Sequence, residues 1–159
     1  WRPWAWILSS YLRKETPMQI RKIGPAFVMR LESGDEVIAS LQTWAAEEEI
    51  GFASVQAIGA LRQATLGYFD PQTNSYQHVP VTEQVEMLSL KGNFSRQEGV
   101  GHKVHVHAVR GRSDGSTLGG HLDEGIVYPT LEVVLTPLPG EVIRRKDPES
   151  GLALWDLSD

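Results

Sequence analysis

Phe52-Ala-Ser-Val-Gln-Ala-Ile58, Leu61-Arg-Gln-Ala-Thr-Leu-Gly-Tyr-Phe69 and Tyr76-Gln-His-Val-Pro-Val81, the last two separated by Asp70-Pro-Gln-Thr-Asn74, decide the fold class of this chain. The runs carry the period-two pattern of half-buried strands, and the segment between Phe69 and Tyr76 supplies turn residues. The series continues with Val85–Leu90, His102–Val109 and Thr130–Thr136, while Pro139-Gly140 and Asp147-Pro148 mark later hairpin turns. Upstream, Met18 to Ile23 and Ala26 to Leu31 read as short strands broken at Gly24-Pro25, because proline cannot donate to a ladder. One segment departs from this pattern. Ser33-Gly-Asp-Glu36 has the spacing of a capping box, with Val37, Ile38, Leu41, Trp44 and Ala45 recurring behind it at helical period. That helix should close near Ile50-Gly51, where glycine tolerates the left-handed conformation. Many strands and one helix predict an α+β domain, a mostly antiparallel β-sheet with one main α-helix packed on it.

A chain of 159 residues suits a single core. Its 41% hydrophobic and 22% charged residues argue against disorder, a collagen-like repeat or a membrane span. Fifteen basic against 20 acidic residues leave a net charge of −5, the wrong sign for a domain that grips phosphates alone. With no cysteine, any transition-metal site must be built from imidazole and carboxylate, and a reducing cytoplasm is the default location. Glu15-Thr16-Pro17 marks the one boundary, giving a domain over 17–159. The apolar start, residues 1–16, has no small-residue cleavage pattern before Arg13-Lys14 and reads as an appended arm or expression remnant rather than a signal.

The chemistry concentrates in Lys103-Val-His105-Val-His107-Ala-Val109. Side chains two apart on a strand share a face, so His105 and His107 project together while Val104 and Val106 face the other way. The same parity puts His102 on the valine face and outside the set. A third histidine follows a Gly/Ser/Asp-rich turn in Gly119-Gly-His121-Leu122, where paired glycines let a neighbouring strand come close. Three imidazoles suit a divalent transition metal, zinc foremost, with nickel, iron or copper as alternatives, and three protein ligands leave a position open for water or a small-molecule ligand. Asp123 or Glu124 could add a fourth ligand or an acceptor that fixes a histidine tautomer. If the site is catalytic, Glu124 or Glu86 is the candidate for handling protons. A purely structural metal is the third reading, although such sites usually have four protein ligands.

Other motifs carry less. His78 has no partner at ligand spacing. Arg110-Gly-Arg112 is similar to the core of an AT-hook, but Ser113-Asp114-Gly115 follows where proline would stand, and a solvated turn accounts for it better. Arg144-Arg145-Lys146, flanked by Glu141 and Asp147, reads as a solvated hairpin edge.

Taken in order, Ala60-Leu-Arg-Gln-Ala-Thr-Leu-Gly-Tyr-Phe-Asp70, Leu88-Ser-Leu-Lys-Gly-Asn93, the His-x-His strand and Gly119-Gly-His-Leu122 resemble the plant and prokaryote conserved (PPC) domain, from about Arg30 to Leu138. In plants that domain accompanies AT-hooks, whereas bacterial and archaeal relatives stand alone. The resemblance implies an α+β domain that forms a homotrimer and is commonly described as DNA-binding. It also implies metal carriage by prokaryotic members, the matching positions being His105, His107 and His121. The plant pattern Gly-Arg-Phe-Glu-Ile-Leu corresponds to Glu83-Gln-Val-Glu-Met-Leu88, which keeps only the Glu and the final Leu, and no AT-hook is present.

Overall fold

A computed structural model describes residues 18–158. The apolar segment 1–16 lies outside the described residues. Strand β1 (Gln19–Ile23) turns through Gly24-Pro25 into β2 (Ala26–Glu32), and helix α1 (Val37–Glu47) follows. Seven more strands complete the fold: β3 (Ala53–Asp70), β4 (Ser75–Val81), β5 (Val85–Gln97), β6 (Gly101–Gly111), β7 (Thr117–Pro137), β8 (Ile143–Lys146) and β9 (Ala153–Asp156). The described residues are therefore mostly β-sheet, nine strands with one helix. Every ladder is antiparallel except that of β8 on β5, which runs parallel over Arg96↔Ile143 and Gln97↔Arg144 and makes the sheet mixed.

Strand β3 pairs with β5 and β7, and β6 pairs with both of those, so four long strands close a circuit. The inward face carries Val55, Leu61, Leu90, Val106, Leu131 and Leu135, all buried. Against it α1 lays Val37, Leu41, Trp44 and Ala45. Trp44 meets Phe27 and Phe94 edge-on at centroid distances of 5.1 and 5.7 Å, an arrangement favoured by the ring quadrupoles.

Local details differ from the sequence pattern. The two runs Phe52–Ile58 and Leu61–Phe69 form one continuous strand, because the break at Gly59 is absorbed as register shifts against β5 and β7. Ser33 does not cap the helix: Ser33-Gly34 is used up in a turn closed by the Asp35 N–H donating to the Glu32 carbonyl at 3.0 Å. Glu36 is the cap instead. Its carboxylate accepts from the backbone N–H groups of Ile38 (3.2 Å), Ala39 (2.6 Å) and, across the sheet, Gly125 (3.0 Å). At the other end the helix stops at Glu47, and Glu49, not Gly51, takes the positive φ of 52°.

Candidate metal centre

Strand parity sorts β6 as its sequence requires. Val104, Val106 and Ala108 are buried, and His105 and His107 emerge on the opposite, outward face. Strand β7 then supplies His121 directly across from His107, its register position being shared with Gly67 of β3 on the other side. The three rings stand at mutual centroid distances of 5.2 Å (His105–His107), 5.2 Å (His105–His121) and 5.5 Å (His107–His121). One nitrogen from each lies within 4.8 Å of the others, and Nε2 of His105 and Nε2 of His107 are 3.3 Å apart. His102 is not part of this group.

The close seating of β6 depends on Gly92 of β5. A Cβ there would lie 1.9 Å from the His105 carbonyl oxygen and 2.7 Å from the Val106 Cα, so any side chain would push the histidine strand away. The glycine of the Leu88–Asn93 motif is thus a steric requirement of the site.

Asp123 and Glu124 separate clearly. The ladder of β7 on β3 steps from Leu122↔Leu66 to Glu124↔Thr65, leaving Asp123 as the extra residue of a bulge. Asp123 Oδ1 lies 3.7 Å from His121 Nε2, and its Oδ2 is 2.9 Å from Nδ1 of His78. His78, read as partnerless in the sequence, is exposed and holds this carboxylate in place. Glu124 is exposed and has no ion pair or side-chain hydrogen bond among the described residues. Glu86 sits opposite Gly111, whereas His107 sits opposite Lys91. Five strand residues at about 3.4 Å each put Glu86 roughly 17 Å along the strand from the triad.

Sequence patterning missed a fourth participant. Arg144 belongs to the basic run read as a solvated edge, yet it is 7% exposed and reaches the site. Its Nε donates to Ser95 Oγ (2.7 Å), Nη1 to the Ala153 carbonyl (3.0 Å) and Nη2 to Asn93 Oδ1 (2.9 Å), with Nη2 also 3.3 Å from Nδ1 of His105. Arg145, which pairs with Asp156 and Glu98, and Lys146 keep the exposed character expected of the run. A cavity of about 290 Å³ lies between the triad and the β8–β9 hairpin, walled by Tyr76, Lys103, His105, His121, Arg144 and Leu154 among others. Neither candidate glutamate lines it.

Burial keeps two of the three rings neutral. Burial, reinforced by Arg144, His121, His107 and Lys103, holds the His105 imidazole down at about 4. Burial also lowers His121, with Asp123 pulling the other way. Both rings are therefore neutral at pH 7 and keep a lone pair to donate. Nδ1 of His121 is buried without a hydrogen-bond partner.

A second correction concerns Arg110. It is not a solvated turn residue but a wholly buried one, on the core face of β6, and none of its three guanidinium nitrogens has a hydrogen-bond partner among the described residues. Burial lowers it to about 10, which still leaves it charged at neutral pH.

Comparison with known proteins places the chain. Residues 18–139 match the Plants and Prokaryotes Conserved (PCC) domain. A protein of Bacteroides thetaiotaomicron, described as a candidate DNA-binding protein, is 31% identical with a TM-score of 0.84, over 87% of this chain and 96% of that one. A metal-containing protein of Archaeoglobus fulgidus is 34% identical with a TM-score of 0.77, over 88% of this chain and 98% of that one. The bifunctional protein GlmU of a Synechococcus strain is 34% identical over 129 residues, which are 79% of this chain but only 19% of that protein. No helix of the described residues is long and apolar enough to cross a membrane. With the expected sequence motifs, a matching family domain over most of its length and structural relatives of the same kind, the chain belongs to the PPC (plants and prokaryotes conserved) domain family.

Proposed function

We propose that this chain is a metal-carrying PPC-domain protein in which His105, His107 and His121 hold a divalent ion, zinc foremost, with a coordination position left for a small molecule. The observation that carries this reading is the convergence of the three imidazoles. Around a tetrahedral zinc with bonds of about 2.0–2.1 Å, neighbouring ligand atoms lie about 3.3–3.4 Å apart. The His105 and His107 Nε2 atoms are separated by 3.3 Å. Nε2 of His121 faces Asp123, which leaves the buried, partnerless Nδ1 as the donor. Asp123 Oδ1 then lies 3.7 Å from the opposite ring nitrogen, on the side from which a carboxylate orients a metal-binding histidine. Similarity to the metal-containing Archaeoglobus protein supports the same reading.

A divalent ion on three imidazoles supplies Lewis acidity at its remaining position. The protein's own part is to fix the rings. Gly92 seats the histidine strand, Asp123 and His78 orient His121, and the Tyr76 ring packs on His121 at 5.4 Å. The test is metal analysis of purified protein. About one equivalent per chain is expected, falling to background in His105→Ala. Metal-free wild type, or full occupancy in the variant, would sink the site.

Relatives described as DNA-binding favour a second reading, in which the domain associates with DNA. The net charge of −5 weighs against unaided phosphate contact. Binding of a labelled duplex should then be absent even at low salt; a salt-sensitive complex would restore the DNA reading. Assembly as a homotrimer is part of the proposal, supported by outward apolar residues such as Ile58, Leu88 and Val109, which are 58%, 51% and 44% exposed. Light scattering should report three chain masses.

A further inference from the structure

The cavity beside the triad carries more positive charge than a metal site requires. Arg144 and Lys103 both line it. Every acceptor that Arg144 meets is neutral: a hydroxyl, a carbonyl, an amide oxygen and an imidazole nitrogen. Among the described residues it forms no ion pair, since the arginines that do are Arg30, Arg96, Arg112 and Arg145. A guanidinium has five N–H groups, so one on Nη1 is left without an acceptor. Metal binding would free another. An imidazole that ligates through Nε2 carries its proton on Nδ1, and Nδ1 of His105 is the atom that now faces Arg144 Nη2. Two N–H groups, one on each terminal nitrogen, then want acceptors together, which is the fork that matches the two oxygens of a carboxylate. A buried cation without a counter-ion is costly, so a partner supplied by a ligand is strongly favoured.

The cavity also sets size and polarity. Its volume of about 290 Å³ lies at the lower end of small-molecule pockets, roughly 300–1,000 Å³, a size that suits a small organic molecule. Leu152, Leu154 and the Tyr76 ring give part of the wall an apolar character, and Asp123, the carboxylate nearest the triad, is not among the walls. We propose that this cavity is a carboxylate subsite, in which Arg144 and Lys103 receive the carboxylate of a small organic acid whose other end reaches the metal position. The inference rests on the metal reading for the second point of attachment and for the Nη2 N–H of the fork; the contacts of Arg144 Nη1 and Lys103 with the carboxylate do not depend on it.

The test compares pyruvate with 2,3-butanedione, which has a methyl group where pyruvate has a charged oxygen and is otherwise nearly the same shape. Binding is read from the visible spectrum of the cobalt-loaded protein and, separately, from thermal protection of the metal-free protein. Pyruvate should bind at least about tenfold more tightly than butanedione, a difference of about 1.4 kcal/mol. Lys103→Met should weaken pyruvate by about three- to tenfold with metal content unchanged, and Arg144→Lys, which keeps the charge and loses the fork, by more than about tenfold. If Arg144→Lys fails to fold, Lys103→Met and the pyruvate-to-butanedione ratio still decide. Equal binding of the two probes, or pyruvate affinity unmoved by Lys103→Met, overturns the subsite. Displacement of pyruvate by a short DNA duplex would put a backbone phosphate in the cavity and overturn it as well. A protein that takes up no cobalt refutes the metal reading instead, and pyruvate protection of that metal-free protein would still uphold the Arg144 and Lys103 contact.

Discussion

Replacing His107 with alanine separates the metal reading from the stability of the fold. The His107 side chain is exposed, so its loss opens no cavity, and the metal-free variant should match wild type within about 0.5 kcal/mol. Metal binding adds to this. An ion that binds only the folded chain stabilises it by about 2.7 kcal/mol when its free concentration is about 100 times Kd. For a chain of 159 residues each kcal/mol moves Tm by about 2–4 °C, so zinc should raise the midpoint by about 5–11 °C. Losing one of three ligands should weaken binding at least as much as losing an outer partner, which costs about 10–100-fold. At the upper figure the same zinc concentration equals the variant's Kd, where the gain is only about 0.4 kcal/mol, or about 1–2 °C. Calorimetry on chelator-stripped protein, with and without zinc at pH 7.5, reads both numbers. His78→Ala is the control, since this exposed histidine touches the triad only through Asp123 and should keep most of the shift. Equal zinc-induced shifts in wild type and His107→Ala would refute coordination by the triad.

Four further outcomes follow from the geometry. Gly92→Ala should destabilise by about 1–3 kcal/mol in urea titration and reduce metal content, because the new methyl group displaces the His105 backbone. Glu36→Ala strips the acceptor from three backbone N–H groups and should cost about 2–3 kcal/mol in the same assay, with Glu36→Gln costing less. Arg110→Met replaces a buried charge by a side chain of similar shape and should stabilise by about 1–4 kcal/mol; a loss instead would reveal a partner for Arg110 in the assembled protein. Finally, His105 is held at about 4 when folded against 6.5 when unfolded, so below pH 6.5 the unfolded state takes up the proton more readily. The stability of metal-free protein linked to this ring is intact above pH 6.5 and lost progressively down to about pH 4, and His105→Gln should flatten the urea midpoint across that window.

What could be read from the sequence was what depends on local period. Alternation along β6 is enough to join His105 with His107 and to discard His102, because a two-residue repeat fixes the face wherever the strand goes. Gly119-Gly120 likewise announces a strand that can come close, and His121 does arrive opposite His107. The helix is visible but its cap is not. Ser33 and Glu36 both suit an N-terminus, and only the Glu32–Asp35 turn, which uses up Ser33, decides for Glu36. Arg144 was illegible for a different reason. Its role comes from contacts with Ser95 and Asn93, 49 and 51 residues away, made because β8 docks in parallel on the end of β5. A basic run between acidic residues has the same composition whether its hairpin points into water or folds back on the sheet. Arg110 shows the converse: Gly, Ser and Asp around it signal a turn, and its own position is still inside the strand, on the core face.

The division between readable and unreadable residues also follows the architecture of the site. The triad is held by long ladders: His121 is paired on one side with His107 and on the other with Gly67, and all three histidines lie within residues 18–139, the segment that defines the family. Arg144 lies beyond that segment, on a hairpin whose ladder with the sheet spans two residue pairs. Strand pairing along β5, β6 and β7 resists displacement of the histidines, whereas a four-residue strand can shift or change sequence without disturbing their register. The rigid part of the site thus suits a function that must stay constant, holding an ion, and the hairpin suits one that can vary, choosing what lies beside the ion. Transplanting a different hairpin after Pro139 should therefore change which small acid is bound while leaving metal stoichiometry at its wild-type value, and loss of metal in such a chimera would show that Arg144 supports the triad itself.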